Sequence, residues 1–391
     1  MKNNKPHIGL YLAAKPEAGG IYQYALSLIE GLHALNERIE ISCFVEDENW
    51  RSQIPKEISV IYSKPNKYKK ALGRMVRKVS FKSRNKYAAL FDQSVRLINK
   101  SDCDLIIYPS QDSLTYQTHI PALTAVHDLM HRYEPHFSEY QGNVFKERER
   151  HYSLICKKSA GILVDSLLGK KHVEESYGME SNSIHLLPFV PPLYLKNSQE
   201  VDIKSKYNLP DNFVFYPAQF WEHKNHSALV KTIKTLKEKQ VDVHMVFIGS
   251  QKNNYEKVVN EIAEANLQND ISILGYIPQN EMYSFYKQAK AMVFASLAGP
   301  TNIPPIEAML LGCPALVSDA YAMPEQVGNG ALLIDASNPD DIADKLSWLL
   351  EEEGRRAELI DSGYRQIRKW DQDAFNQRLS EIIFYVLREI Q

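Results

Sequence analysis

The chain has 391 residues, 44% of them hydrophobic and 24% charged, with a formal net charge of -2 at pH 7. That length allows two domains with a core each, and the composition is that of a globular protein, neither disordered nor fibrous. A near-neutral balance argues against the broad cationic face that general nucleic-acid binding needs.

Short β-branched apolar runs alternate with longer amphipathic ones, the rhythm of parallel sheets covered by helices on both faces. In the first half strands are expected at 7–12, 39–45, 58–63, 104–108, 123–126, 161–165 and 184–187. The pattern breaks around Pro188, Pro191 and Pro192 into a polar stretch that reads as a linker. A second series then sets strands at 213–218, 244–249, 271–274, 291–295, 315–318 and 331–334, with helices near 227–238, 255–265, 279–287 and 340–352. The tail from Ala374 carries Phe375, Leu379, Ile382, Ile383, Val386 and Leu387 at helical spacing. The fold class is therefore α/β, with two doubly wound parallel-sheet domains, and ligands of such domains bind outside the carboxyl ends of the strands.

Several candidate site residues follow a strand end. Gly19 and Gly20 stand between the first strand and the first helix, where bare backbone can approach a ligand or simply make a tight turn. His127 and Asp128 follow the strand at 123–126; with His131 they form a possible metal set, but no distant ligand completes it, and Asp128 also suits a helix cap. Gln219 and Lys224 lie in the turn after the strand at 213–218, where a lysine can place its charge on a phosphate. Ser166 reads as an N-cap. The strands ending at Gly249 and Gly275 lead to Ser250 and to Tyr276 and Ile277.

The most informative stretch is Gly299-Pro300-Thr301-Asn302-Ile303-Pro304-Pro305-Ile306-Glu307, followed by Gly312 and a buried strand. It reads as a loop and a helix opened by prolines, with Glu307 in the first turn beside amides that lack intrahelical partners. A carboxylate beside an anion hole suits the ribose and phosphates of a nucleotide. From Lys64 to Lys86 ten lysines and arginines occur without an acid, interleaved with apolar residues. Such a run suits an anionic membrane surface or a pyrophosphate-linked lipid, or is a solvated face.

In order and spacing, Lys224, the two glycine-ended strands and Glu307 resemble the nucleotide-sugar signature of retaining glycosyltransferases of family 4, the glycosyl transferases group 1. The resemblance covers nearly all of the second domain; the first half diverges, as a domain for a variable acceptor would. It implies the GT-B fold, two Rossmann-like domains facing a central cleft. Residues 1–192 would bind the acceptor, joined by a C-terminal helix at 372–391 that crosses back, and 193–371 would bind the donor. It implies a GDP- or UDP-linked sugar as donor, with no metal and no further cofactor. Catalytic roles fall on His127, which would contact the hexose, on Lys224, which would stabilise the diphosphate, and on Glu307, which would hold the ribose. Gly19, Gly20, Gln219, Gly249, Tyr276, Ile277, Thr301, Asn302 and Ile303 complete the implied donor site.

Two positions depart from the family. Gly299 stands where a second glutamate is usual, and Pro300-Thr301-Asn302 replaces Gly-Phe-Gly, a form similar to a variant within the family; Gln219 replaces an arginine. Thr301, Asn302 and their amides are expected to take over the lost sugar contact. The implied reaction moves a hexose, mannose by preference, with retention, to a glycan or polyprenyl-diphosphate-linked glycan in bacterial polysaccharide assembly such as O-antigen or capsule. Rival readings are a noncatalytic or degenerate sugar-nucleotide-binding protein, or an epimerase or phosphorylase on the same fold.

Cys43, Cys103, Cys156 and Cys313 lie far apart with no CxxC, so buried reduced thiols are expected, with neither a disulfide frame nor a zinc site. No run approaches the roughly 18 apolar residues of a membrane span, and the opening apolar stretch is too short for a signal peptide. A cytoplasmic location is the expectation, with peripheral contact to the inner membrane through Lys64–Lys86.

Overall fold

The computed structural model describes residues 5–16, 19–64, 68 and 88–391. Apart from Lys64 and Tyr68, the basic stretch 64–86 lies outside the described residues. The chain divides into two compact units: Met1–Leu129 with Lys146–Pro188 and Gln372–Gln391, and Met130–Phe145 with Phe189–Asp371. The short stretch 130–145 thus groups with the second unit, because Met130, Phe137 and Tyr140 cluster with Ala298.

The first unit holds β1 (His7–Leu12), β2 (Glu40–Val45), β3 (Ser59–Tyr62), β4 (Leu105–Tyr108), β5 (Ala122–Ala125), β6 (Gly161–Val164) and β7 (Ile184–Leu186). They form one parallel sheet in the order β3-β2-β1-β4-β5-β6-β7. β4, β5 and β6 are buried along their whole length, which is why these strands read as continuous apolar runs. The helix Gly20–His33 lies against the C-terminal helix Gln372–Glu389 at Gly31, where a Cβ would meet Leu379 Cδ2 at 2.8 Å.

The second unit repeats the plan with β8 (Phe213–Pro217), β9 (His244–Ile248), β10 (Ile271–Gly275), β11 (Met292–Phe294), β12 (Ala315–Ser318) and β13 (Leu332–Ile334). Its order is β10-β9-β8-β11-β12-β13, again all parallel. The winding direction reverses between β8 and β11, and a crevice opens at the carboxyl ends of strands at such a reversal. All thirteen expected strands are present within a residue or two of their expected bounds. Two long helices, Asn143–Lys158 and Glu353–Ile367, lie outside the expected elements; their residues are mostly exposed or half-buried and give weak apolar stripes.

None of the four cysteines is in a disulfide and all are buried. Among the described residues, no helix is long and apolar enough to cross a membrane.

Gly249 closes the carboxyl end of β9 against the turn after β8. Its N–H donates to the Gly275 carbonyl (2.8 Å), and a Cβ there would lie 2.1 Å from the Ala218 carbonyl oxygen. Backbone atoms cannot yield as a flexible side chain does. Gly249→Ala should therefore cost more than about 2 kcal/mol of stability, measured by urea unfolding, and a variant as stable as the wild type would show that these strand ends are not packed this closely.

Candidate functional site

Two loops meet at the reversal point of the second unit. After β8 the chain makes a turn, Glu222–Lys224, and Asn225 then takes a left-handed conformation (φ 60°) before the helix His226–Glu238. Asn225 fixes this turn by donating from Nδ2 to the carbonyls of Ala336 (2.6 Å) and Ala295 (3.3 Å). After β11 the chain runs through Ser296 and Gly299 to the helix Ile303–Leu311. Lys224 joins the loops: its Nζ donates to Asn302 Oδ1 (3.0 Å) and Ser296 Oγ (3.2 Å) and lies 5.2 Å from the Phe294 ring centroid. Its own carbonyl accepts from the Tyr216 hydroxyl at 2.7 Å.

Asn302 is the N-cap residue of Ile303–Leu311. The ammonium is thus held at the positive end of a helix, where a cation is disfavoured and an anion favoured. Hydrogen bonds to Asn302 and Ser296 offset that repulsion, and the place is electrostatically set for a phosphate.

The helix start differs from the sequence expectation. Pro304 and Pro305 have no N–H, so Ile303 alone offers one in the first turn, and the Asn302 N–H donates to Gln326 Oε1 (3.1 Å). A cradle of several amides is therefore reduced, and Lys224 and the Asn302 side chain carry more of the site. Glu307 also sits a turn later than expected: the first turn holds no acid. Its buried carboxylate accepts from the hydroxyls of Tyr286 (2.6 Å) and Tyr194 (2.9 Å). Burial raises its pKa above the usual carboxylate range, and the two tyrosine hydrogen bonds work against that rise.

Gly299 has φ +112°, a conformation L side chains rarely adopt, with Asn302 Nδ2 3.4 Å from its Cβ position. A glutamate there, as the sequence resemblance implies, would strain this backbone. Gln219 is half-buried and accepts on Oε1 from Trp221 Nε1 (3.0 Å), which leaves the amide end to donate. Tyr276 is 55% exposed, whereas the Ile277 side chain is in the core, so only its backbone can face a ligand.

A clamp that nothing local in the sequence marks holds the Glu222–Lys224 turn. Glu139 Oε1 accepts from His223 Nδ1 (2.5 Å) and from the His223 N–H (3.3 Å), and Oε2 accepts from Asn253 Nδ2 (2.9 Å). Ser138 donates from N (3.1 Å) and Oγ (2.7 Å) to Glu222 Oε2. Burial opposes ionisation of Glu139, but hydrogen bonds from His223, its own backbone and Asn253 outweigh it and hold the pKa at about 2. His226 has no such role: it is buried and stacked on Phe220 at 4.1 Å.

In the first unit, His127 follows β5 and its Nε2 lies 2.7 Å from the Pro109 carbonyl. A carbonyl only accepts, so Nε2 carries the proton, and in the neutral ring Nδ1 is the acceptor. Burial lowers its pKa, which favours that neutral ring, and Tyr24 packs edge-on at 5.1 Å. Asp128 pairs with Arg148 at 3.8 Å. Gly19 is the N-cap of Gly20–His33 with φ 60°, and Gln23 in the first turn is buried with neither side-chain polar atom bonded to protein. Ser166 caps Leu167–Tyr177 through the Gly169 N–H (2.9 Å), as expected. Among the described residues no group of three His, Cys, Asp or Glu is placed to hold a metal ion.

Residues 197–366 match the family described as Glycosyl transferases group 1. That segment contains β8 to β13, Lys224, Gly299, Asn302 and Glu307. Among curated proteins, the chain is similar to the O-antigen chain mannosyltransferase RfbU of Salmonella typhimurium, 26% identical over 193 residues, 49% of this chain and 50% of that protein. It is also similar to the serotype-specific mannosyltransferase WbdA of Escherichia coli, 28% identical over 160 residues, 40% of this chain and 20% of that one. The chain thus spans half or less of the length of these relatives. Among solved structures, Anabaena HepE in complex with UDP and glucose superposes with a TM-score of 0.74 at 14% identity, covering 97% of this chain and 99% of that one. Sucrose-phosphate synthase of Thermosynechococcus elongatus gives 0.74 at 18% identity, with 98% and 100% covered. The fold is that of GT-B glycosyltransferases, two Rossmann-like parallel-sheet domains.

Glu307 has a structural duty besides any contact with a ligand. Glu307→Ala leaves two tyrosine hydroxyls without their acceptor, at an expected cost of about 2–5 kcal/mol in urea unfolding, and Tyr286→Phe should cost about 1–3 kcal/mol. A neutral Glu307→Ala would mean that the carboxylate does not hold these tyrosines.

Proposed function

We propose that this chain is a retaining hexosyltransferase, using a nucleotide diphosphate sugar as donor and a glycan or polyprenyl-diphosphate-linked glycan as acceptor, in bacterial polysaccharide assembly. The observation that carries this reading is Lys224, bonded to Asn302 and Ser296 at a helix start, at the strand ends flanking the winding reversal, inside the segment that matches the group 1 family. Mannose is the preferred hexose because RfbU and WbdA are mannosyltransferases; the carrier is GDP or UDP.

As the glycosidic bond to the donor breaks, negative charge grows on the diphosphate. Lys224 stabilises that charge, with the helix start of Ile303–Leu311 beside it, and no metal or other cofactor is called for. Asn302, Thr301 and Gln219 offer hydrogen bonds to the sugar and phosphates in place of the absent glutamate and arginine, with Gly249 and the backbone of Tyr276 and Ile277 beside the nucleotide. Glu307 spends two of about four lone-pair directions on tyrosines, and the others can accept ribose hydroxyls. His127 contacts the hexose, and Gly19 and Gly20 approach the phosphates or the acceptor. No carboxylate is assigned as nucleophile, so attack comes from the front face, the departing phosphate taking the acceptor proton. The segment 64–86 supplies a peripheral contact with an anionic membrane.

Gly299 and Gln219 favour a second reading, a sugar-nucleotide-binding protein without turnover. Turnover of GDP- and UDP-sugars decides between them. The transferase reading predicts release of one nucleotide diphosphate and a drop of about 100-fold in kcat/KM for Lys224→Ala, with the wild-type melting temperature retained. Saturable binding without turnover of any donor would favour the second reading, and no binding of GDP or UDP would end both.

A further inference from the structure

We propose that Glu139 is a positioning residue for Lys224, and that it sets the diphosphate contact of the donor site through His223. The inference rests on the donor reading above for the role of Lys224 itself.

His223 is the hub. Its ring and its N–H both donate to Glu139 Oε1, at 2.5 and 3.3 Å, while its carbonyl accepts from the Leu297 N–H at 2.8 Å. Leu297 belongs to the loop after β11, next to Ser296, whose hydroxyl receives a hydrogen bond from Lys224 Nζ. One residue therefore ties the carboxylate on one side to the lysine's partner loop on the other, and Lys224 is the next residue in the chain. Glu139 is itself fixed by Asn253, whose Oδ1 accepts from the Glu222 N–H (3.1 Å) and whose Nδ2 donates to Glu139 Oε2 (2.9 Å). Ser138 adds two hydrogen bonds to Glu222 Oε2. Three consecutive residues, Glu222, His223 and Lys224, are in this way set by groups from three other loops.

The physical need for such a clamp follows from the charge. A lysine on a turn at the positive end of a helix is pushed outward by that end, and its long side chain has many rotamers to occupy. With the backbone of the turn fixed, Nζ can reach Asn302 and Ser296 without further ordering. The Glu139 carboxylate accepts from the His223 ring as well as from the His223 backbone N–H. Its side chain is only 8% exposed, so water screens it little. Glu139 lies 84 residues from His223 in sequence, and the stretch that carries it groups with this unit.

The test is a double-mutant cycle on ligand affinity, using GDP or UDP, whichever the wild type binds more tightly, and the matching nucleoside. Glu139→Ala should weaken the diphosphate about tenfold and the nucleoside less than about twofold, and should add nothing in a Lys224→Ala background, since the two act as one unit. Glu139→Gln keeps one acceptor for His223 and should give the same phosphate-selective loss, about threefold; it carries the comparison if the alanine variant does not fold. Equal losses for nucleotide and nucleoside, effects that add to those of Lys224→Ala, or unchanged affinity would each overturn the proposal. Failure of the wild type to bind either nucleotide would remove the donor reading and this inference together, whereas a binding wild type with an indifferent Glu139→Ala removes the inference alone.

Discussion

An ammonium group held at the positive end of a helix is the constraint around which the second unit is arranged. Left alone, Lys224 would turn away from the start of Ile303–Leu311, because both carry the same sign of charge. It stays because Asn302 and Ser296 accept from it and because its turn is fastened on several sides. The arrangement concentrates positive potential at the carboxyl ends of β8 and β11, where the parallel sheet reverses its winding. A bound anion would relieve that repulsion, which is the physical reason for regarding the place as a diphosphate site.

The surrounding loops are held by close backbone contacts and constrained conformations. Gly249 brings the end of β9 against the Ala218 backbone, at the start of the turn leading to Lys224. Gly299 takes a conformation that excludes most side chains and carries the chain round to Asn302. Pro304 and Pro305 fix the helix entry but remove two N–H donors, so the site leans on side chains where an all-amide cradle would use backbone. Glu307, one turn in, anchors Tyr194 and Tyr286 to the same helix. Gly299 and Gln219, where the sequence resemblance implies a glutamate and an arginine, both lie in these loops.

The strands were legible because a parallel sheet buried on both faces must be written as unbroken apolar runs, as at Leu105–Tyr108 and Ala315–Ser318. Lys224 and Asn302 were legible as loop residues after strand ends, and the fold brings them to 3.0 Å. The grip of Glu139 on His223 was not legible, since a hydrogen bond across 84 residues leaves no periodicity or spacing to detect. The duty of Glu307 toward two tyrosines was hidden for the same reason, and its place in the second turn depended on where two prolines let the helix begin. The helix Glu353–Ile367 escaped notice because its surface is largely polar.

The most direct measurement is a crystal structure with GDP, UDP or an intact sugar donor bound. The account predicts diphosphate oxygens within about 3.5 Å of Lys224 Nζ, with Asn302 turned to the phosphates or the sugar. A nucleotide bound elsewhere, with Lys224 still joined to Asn302 and Ser296, would contradict it.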